Sequence, residues 1–333
     1  MRIWMASSRH YDQDSFEQVC RDRGSTHQFV FAPEPLNRRT ARLTQGCEAV
    51  CAFVNDELDA STLQQLADQG IRAICLRCAG SNNVDLQAAR QLGLRVLNVP
   101  GYAPESVAEF TLALLLNLCR HLQQSQLRVR QNNFDLSGLV GVQLHGKTAG
   151  VVGTGRIGSA TALLLKALGM TVLAHDTHAT NPELTSAGVR YVGLTELLQN
   201  SQVVTLHCPL LPPTHHLINA QTLKQLPKGA LLVNTGRGGL LDTGAVIEAL
   251  KTGHLGGLAI DVYEKEAGLF FTDHSNSIVG DDLFERLLTL PNTVVSGHQA
   301  FLTDVALMEI AGTTLDNLDQ VERKEPSSND LLR

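Results

Sequence analysis

Ala149-Gly150-Val151-Val152-Gly153-Thr154-Gly155-Arg156-Ile157-Gly158 begins as an apolar run and ends as G-x-G-x-x-G. The run reads as a buried strand, and residues 157–168 behind it have helical spacing. In such a strand–turn–helix each glycine has its own task. Gly153 permits the tight turn, Gly155 lets backbone approach a pyrophosphate, and Gly158 lets the helix pack closely on the strand. Thr154, Arg156 and Ile157 lie between them, where the helix N-terminus offers partial positive charge to an anion. The next apolar run, residues 171–175, ends in Asp176, about 20 residues beyond the first glycine. A carboxylate there accepts hydrogen bonds from ribose hydroxyls and repels a 2′-phosphate, so NAD is expected rather than NADP.

The same alternation extends in both directions. Behind the glycine run, candidate strands fall at residues 148–152, 171–175, 203–207, 230–234, 258–262 and 293–296, with connections long enough for crossovers. Ahead of it, candidate strands fall at 2–6, 49–54, 72–76 and 95–98, with helical spacing at 61–68 and 84–92. Strands alternating with helices imply parallel sheets covered on both faces. Asn98-Val99-Pro100-Gly101 breaks the first series, and Pro104 opens a helix with apolar residues on nearly every side. A helix of that kind is expected to be buried between domains or subunits, which makes a homo-oligomer, dimer or tetramer, the expected state. Residues 135–146 and 267–282 read as loops, and 303–321 as a final helix.

Composition narrows the class. A chain of 333 residues suits two domains, and 43% apolar with 18% charged residues suits packed cores. A net charge of −6 and 5% aromatics argue against a nucleic-acid partner. The longest apolar run, residues 110–119, is interrupted by Asn117, so no membrane span is expected, and residues 1–6 read as a strand rather than a signal peptide. Seven cysteines at irregular spacing (20, 47, 51, 75, 78, 119 and 208) are no disulfide framework. Cys75-Leu76-Arg77-Cys78 starts in a β-like run, where positions three apart face opposite ways, so buried thiols in a reducing cytoplasm are expected.

In an open parallel sheet, ligands sit at the carboxyl ends of the strands. Three polar groups stand just past such ends: Arg237 within Thr235-Gly236-Arg237-Gly238-Gly239, Glu266 within Tyr263-Glu264-Lys265-Glu266, and His298 after Gly297. Together they suit reduction of a 2-oxo acid. The guanidinium fork holds the carboxylate and polarises the carbonyl. The imidazole protonates the developing alkoxide, and a carboxylate orients that imidazole and stabilises it when charged. His207-Cys208-Pro209 closes a strand and is expected beside the adenine or ribose. His215-His216 comes after Pro212-Pro213-Thr214 in a loop resembling one that borders a cofactor. Neighbouring histidines rarely make a metal site alone, and no ligand cluster accompanies them, so no metal is expected.

These motifs, with Asp261-Val262-Tyr263-Glu264-Lys265-Glu266 and Gly297-His298-Gln299-Ala300-Phe301, resemble the D-isomer-specific 2-hydroxyacid dehydrogenases, most closely the NAD-dependent lactate subgroup. The resemblance covers residues 1–322. It implies reduction of pyruvate to D-lactate with NADH, by Arg237, Glu266 and His298. It implies two Rossmann- or flavodoxin-like α/β domains with parallel sheets and an active-site cleft between them. Residues 1–100 and 298–333 would form the substrate-binding domain, and 101–297 the NAD-binding domain. Cofactor contacts would fall on the glycine loop, Asp176, His207, Cys208, Pro209, Thr214, Thr235, Gly236, Arg237, Asp261 and His298. Substrate contacts would fall on Cys78, Ala79, Gly80, Tyr102, Arg237 and Phe301. Ala267 stands where many relatives have proline, and 270–284 looks like extra length; both resemble the lactate subgroup. A related reductase for a larger 2-oxo acid and an NAD-sensing regulator share this scaffold. Glu266 argues against a formate dehydrogenase, and the late glycine motif against an L-lactate dehydrogenase.

Overall fold

The computed structural model describes residues 1–178 and 181–333. Two units emerge from the chain's own contacts: Met1–Ala103 with Leu302–Arg333, and Pro104–Phe301. In the first, strands β1 (Arg2–Met5), β2 (Gln28–Phe31), β3 (Ala49–Ala52), β4 (Ala73–Leu76) and β5 (Arg95–Leu97) form a parallel sheet in the order β2-β1-β3-β4-β5. Every residue of β3 and β4 is buried, as expected of central strands with helices on both faces. Helices α1 (His10–Arg23), α2 (Ala60–Asp68) and α3 (Leu86–Gln91) connect them. Asp59 and Asp85 cap α2 and α3 by accepting from the backbone N–H of Thr62 and Ala88. Strand β2 gives no sequence signal because it is a short, half-exposed edge paired on one side only.

The carboxyl ends of this sheet are held by buried charge. Arg77, after β4, is 2% exposed and donates to Asp12 Oδ1 (3.2 Å) and to the carbonyls of Ala6 (3.0 Å) and Ser7 (2.9 Å). Asp56 accepts from Ser7 Oγ and from the N–H groups of Leu36 and Phe53, each at 2.7 Å.

The second unit starts with α4 (Pro104–Arg120) and α5 (Leu122–Arg130). Its strands are β6 (Thr148–Val152), β7 (Thr171–His175), β8 (Arg190–Tyr191), β9 (Val203–Leu206), β10 (Ala230–Asn234), β11 (Leu255–Ile260) and β12 (Thr293–Val295), in the parallel order β12-β11-β10-β9-β6-β7-β8. The helices between them are α6 (Arg156–Ala167), α7 (Pro182–Ser186), α8 (Leu194–Asn200), α9 (Ala220–Leu223), α10 (Thr243–Lys251) and α11 (Asp282–Thr289). The chain runs outward from β6 to β7 and β8, then returns to β9 on the other side of β6. That reversal is the switch point at which such sheets bind ligands, and the glycine loop leaves β6 there.

Much of α4 is accounted for within its own unit. Leu114, Leu115, Leu118 and Cys119 share a core with Ala162 and Leu165 of α6 and with the sheet. The extra-looking segment 270–284 is anchored in a core at its two ends, with Phe270 and Tyr263 both packed against Phe284. The final helix, α12 (Asp304–Glu322), returns to the first unit and packs on α1 and β4.

The boundary between units falls slightly later than the sequence suggests, and His298 lies in the second unit, not the first. The reason is Asp261, just after β11. Its carbonyl accepts from His298 N–H (2.7 Å), and its carboxylate accepts from the N–H groups of Gln299 (3.0 Å) and Ala300 (2.8 Å). The cysteines are all free. Burial pushes the Cys51 thiol up to about 12 and raises that of Cys75, so both stay protonated and inert.

Asp12 both caps α1 through Arg9 N–H and neutralises Arg77. Asp12→Ala leaves a buried guanidinium without its counter-charge, and should cost about 3–5 kcal/mol of stability in urea unfolding. A loss below about 1 kcal/mol would mean the pair is not needed.

Candidate active site

The glycine loop is shaped by contacts that exclude side chains. Gly153 has φ 89°, and a Cβ there would meet the backbone of Cys208 at 2.5 Å. A Cβ at Gly158 would lie 1.9 Å from the Gly153 carbonyl oxygen. Gly155 is different: a Cβ there meets nothing within 4 Å, so this side of the loop is open. Gly155 also caps α6 without a side-chain bond, which leaves the helix N-terminus to attract an anion.

Asp176 is fastened to this loop. Its Oδ2 accepts from Thr154 N–H (2.6 Å) and Thr154 Oγ1 (3.0 Å), and its Oδ1 from His178 N–H (3.0 Å). Burial raises its pKa, but the hydrogen bonds from Thr154 and His178 outweigh burial and hold it down at about 2. Its contribution to stability is therefore complete above the ordinary carboxylate value and fades only as the pH falls towards 2. Tyr191 Oη donates to Thr154 Oγ1 (3.1 Å) and completes the cluster.

His207 and Cys208 come after β9, directly beneath the glycine loop, and the Gly158 position lies against His207 Cβ. Burial pushes His207 down to about 4, so the ring is neutral at pH 7, and its buried Nε2 has no hydrogen-bond partner among the described residues. Burial pushes the Cys208 thiol up to about 11. An orphaned imidazole nitrogen beside an open glycine turn and a ribose-type carboxylate fits a dinucleotide. The glycine loop, Asp176 and His207 are the residues that would hold it.

After β10, Asn234 shapes the turn that carries Arg237. Its Oδ1 accepts from Gly236 N–H (3.0 Å), and its Nδ2 donates to the Arg237 carbonyl (2.9 Å). Arg237 Nη1 donates to the Gly236 carbonyl (2.8 Å), and no carboxylate pairs with the guanidinium among the described residues. Thr235, buried in the same turn, shares a hydrogen bond with Thr111 of α4 (2.8 Å). Gly238 presses on the next loop: a Cβ there would lie 2.0 Å from Tyr263 C.

His298 and Glu266 are brought together. His298 Nδ1 lies 2.9 Å from Glu266 Oε1, and Glu266 Oε2 accepts from Tyr263 N–H at 3.0 Å. The Phe271 ring flanks the imidazole with centroids 5.6 Å apart. His298 Nε2 has no partner among the described residues and can give or take a proton. Asp261 is fully buried; burial raises its pKa, opposed by bonds from Ser296, Gln299 and Ala300 and by nearby His298.

Other expected residues are placed differently. Thr214 spends its hydroxyl inside its own turn, donating to the Pro209 carbonyl (2.7 Å) and accepting from Leu211 N–H (2.8 Å). Cys78, Ala79, Gly80 and Tyr102 belong to the first unit. Cys78 Sγ donates to the Gly80 carbonyl (3.2 Å), and Asn98 Nδ2 to the Ala79 carbonyl (2.8 Å). Phe301 is nearly buried and ends the second unit. Two contributors gave no signal in sequence, Thr111 and Tyr191, whose roles arise only from contacts across the fold; Asn234 belongs to the Asn234-Thr235-Gly236-Arg237-Gly238 motif and acts locally on its turn.

A glycine turn at the switch point and an imidazole–carboxylate pair at the ends of the same sheet define a dinucleotide-dependent oxidoreductase. Residues 112–300 match the family described as "D-isomer specific 2-hydroxyacid dehydrogenase, NAD binding domain", and the chain belongs to that family. It is 45% identical to the D-lactate dehydrogenase of Escherichia coli (strain K12) over 332 residues, all of both chains. It is 48% identical to a 2-hydroxyacid dehydrogenase homolog of Zymomonas mobilis over 324 residues, 97% of each. The pyruvate reductase structure of Chlamydomonas reinhardtii superposes with a TM-score of 0.93 at 43% identity, covering 99% of this chain and 98% of that one. The NAD-complexed enzyme of Lactobacillus delbrueckii superposes at 0.80 with 27% identity and 99% of each chain covered. The cofactor is NAD.

Asp176→Ala should erode the preference for NADH over NADPH, read as the ratio of the two Kd values. An unchanged ratio would remove Asp176 from cofactor recognition.

Proposed function

We propose that the enzyme reduces pyruvate to D-lactate with NADH, reversibly. The reading rests on one contact, His298 Nδ1 with Glu266 Oε1 at 2.9 Å, which leaves Nε2 as the ring nitrogen available to a substrate. Bound NADH supplies the two-electron reduction of the 2-oxo carbon. Arg237, uncommitted to any carboxylate among the described residues, binds the substrate carboxylate and draws charge toward the carbonyl oxygen. His298 gives its proton to that oxygen from Nε2 as alkoxide character develops, and Glu266 stabilises the charged ring beforehand. In the direction of lactate oxidation, His298 takes the proton back. Asp261, near the nicotinamide, holds the turn that carries His298.

In this reading the first unit is the substrate-binding domain and the second the cofactor domain. Backbone N–H groups at Cys78, Ala79 and Gly80 bind the substrate carboxylate, and Tyr102 and Phe301 limit the side chain to a small one. The names of two relatives, a D-lactate dehydrogenase and a pyruvate reductase, support the small substrate. Free thiols throughout suit a cytoplasmic enzyme. Among the described residues no helix is long and apolar enough to cross a membrane.

The test is turnover of pyruvate against bulkier 2-oxo acids, monitored by nicotinamide absorbance, with chiral analysis of the product. D-lactate from pyruvate is expected. Preference for a bulkier acid would overturn the pocket, and NADH binding without turnover would favour a sensor. His298→Gln should lower kcat by about 10²–10⁴-fold while NADH binding holds. Retained turnover would take His298 out of the chemistry.

We also infer a homo-oligomer, dimer or tetramer. The segment from α5 onward exposes Leu122, Leu127 and Val129, then Phe134 (70%), Leu136 (76%) and Val140 (89%). Exposed apolar side chains this frequent along one segment are suited to burial against a second copy. Sedimentation at micromolar concentration should show a dimer or larger, and a monomer would refute it.

A further inference from the structure

We propose that His215, His216 and Glu264 form a binding site for a divalent transition-metal ion of the zinc type. Each offers one ligand atom, and the three atoms lie within 4.8 Å of one another. The site does not depend on the proposed reaction and uses none of its residues.

The fold holds these groups in place from several sides. His216 sits at φ 50°, with its N–H on the Gly239 carbonyl (2.8 Å) and its own carbonyl accepting from Asn219 Nδ2 (2.9 Å). Its backbone is therefore pinned on both sides, and the ring is aimed at Glu264, with Nε2 2.5 Å from Oε1. His215 stacks on that ring, centroids 3.9 Å apart and planes 26° apart. The second carboxylate oxygen of Glu264 accepts from Thr243 Oγ1 (3.1 Å), an outer bond of the kind that orients metal ligands.

Two imidazoles and one carboxylate are a zinc donor set, with bonds of about 2.0–2.2 Å and ligand atoms about 3.3 Å apart. His216 Nε2 and Glu264 Oε1 are closer than that, at 2.5 Å, and all three ligand atoms lie within 4.8 Å, so small side-chain movements reach it. His215 is exposed, and water would supply a fourth ligand. Calcium and magnesium prefer all-oxygen shells and are disfavoured. On binding, the ion takes the place of the hydrogen bond between His216 Nε2 and Glu264 Oε1, and the single N–H of the neutral ring resides on Nδ1. The ion would tie the 212–216 turn to the loop after β11, against which the Arg237 turn is already pressed through Gly238.

A second cluster of similar size, His27, Asp319 and Glu322, differs in one respect. There the Met1 ammonium already contacts Glu322 Oε1 (3.2 Å) and His27 Nδ1 (3.2 Å), and His27 Nε2 lies 2.9 Å from Asp319. A cation already serves those ligands.

The experiment is calorimetric titration of the full-length, chelator-treated protein with zinc chloride, with cobalt(II) as an absorbance probe. One equivalent per chain is expected. His215→Ala, a change at an exposed ring that the core does not feel, should weaken Kd at least tenfold and abolish the visible cobalt band. Glu264→Gln should do the same, while His27→Ala should change neither. No saturable binding, binding indifferent to His215→Ala, or binding lost in His27→Ala would each overturn the assignment.

Discussion

The carboxylate of Asp261 is completely buried and holds the turn on which the candidate site depends. It accepts from Ser296 Oγ at 2.6 Å and from two successive backbone N–H groups, and its own carbonyl takes the N–H of His298. Under these bonds His298 adopts φ 56°, a left-handed conformation that few residues other than glycine enter. Strain of this kind costs about 1–3 kcal/mol, and charge-assisted hydrogen bonds of about 1.5–3 kcal/mol each readily offset it. Without them the turn would relax, and Nδ1 would leave Glu266. The imidazole is thus positioned by a residue that is itself out of solvent.

Close backbone approach is the second constraint. Gly153 against Cys208, Gly158 against Gly153, and Gly238 against Tyr263 are three contacts at which a methyl group has no room. They bring the ends of β6, β9, β10 and β11 together, so polar groups after those strands crowd one rim of the sheet. The first unit draws its strand ends together differently, with the buried Arg77 and Asp56 instead of glycines. Charge does there what the lack of a side chain does in the second unit.

Most of the strands were legible because central parallel strands are apolar on both faces, and all six of the second series lie close to their expected positions. The edges β2 and β8 were not, since four and two residues carry no periodicity. Asp176 and the glycine loop were legible because the dinucleotide motif places them at fixed offsets in a strand–turn–helix, and Thr154 joins them in the structure. Glu266 and His298 were legible because each stands a few residues past the end of a buried strand, and the two do touch. The Arg77–Asp12 pair and the His216–Glu264 contact join residues 65 and 48 apart. No local spacing rule reaches across such distances. His298 was expected in the wrong unit because the hydrogen bonds that fasten it are to backbone and leave no trace in side-chain pattern.

The first unit is assembled from the two ends of the chain. Helix α12 packs on α1, Leu97 bridges to Asp330, and Asn98 N–H donates to the Asn329 carbonyl. A ribosome makes residues 1–103 well before their missing helix, which follows only after the whole second unit. The second unit can close while translation continues, whereas the first must wait with the faces of α1 and β4 uncovered. Its early strands therefore spend the longest time in a half-built state, where a chaperone or a misplaced neighbour can reach them. Emergence of α12, rather than of the first strands, is the event that lets the first unit close.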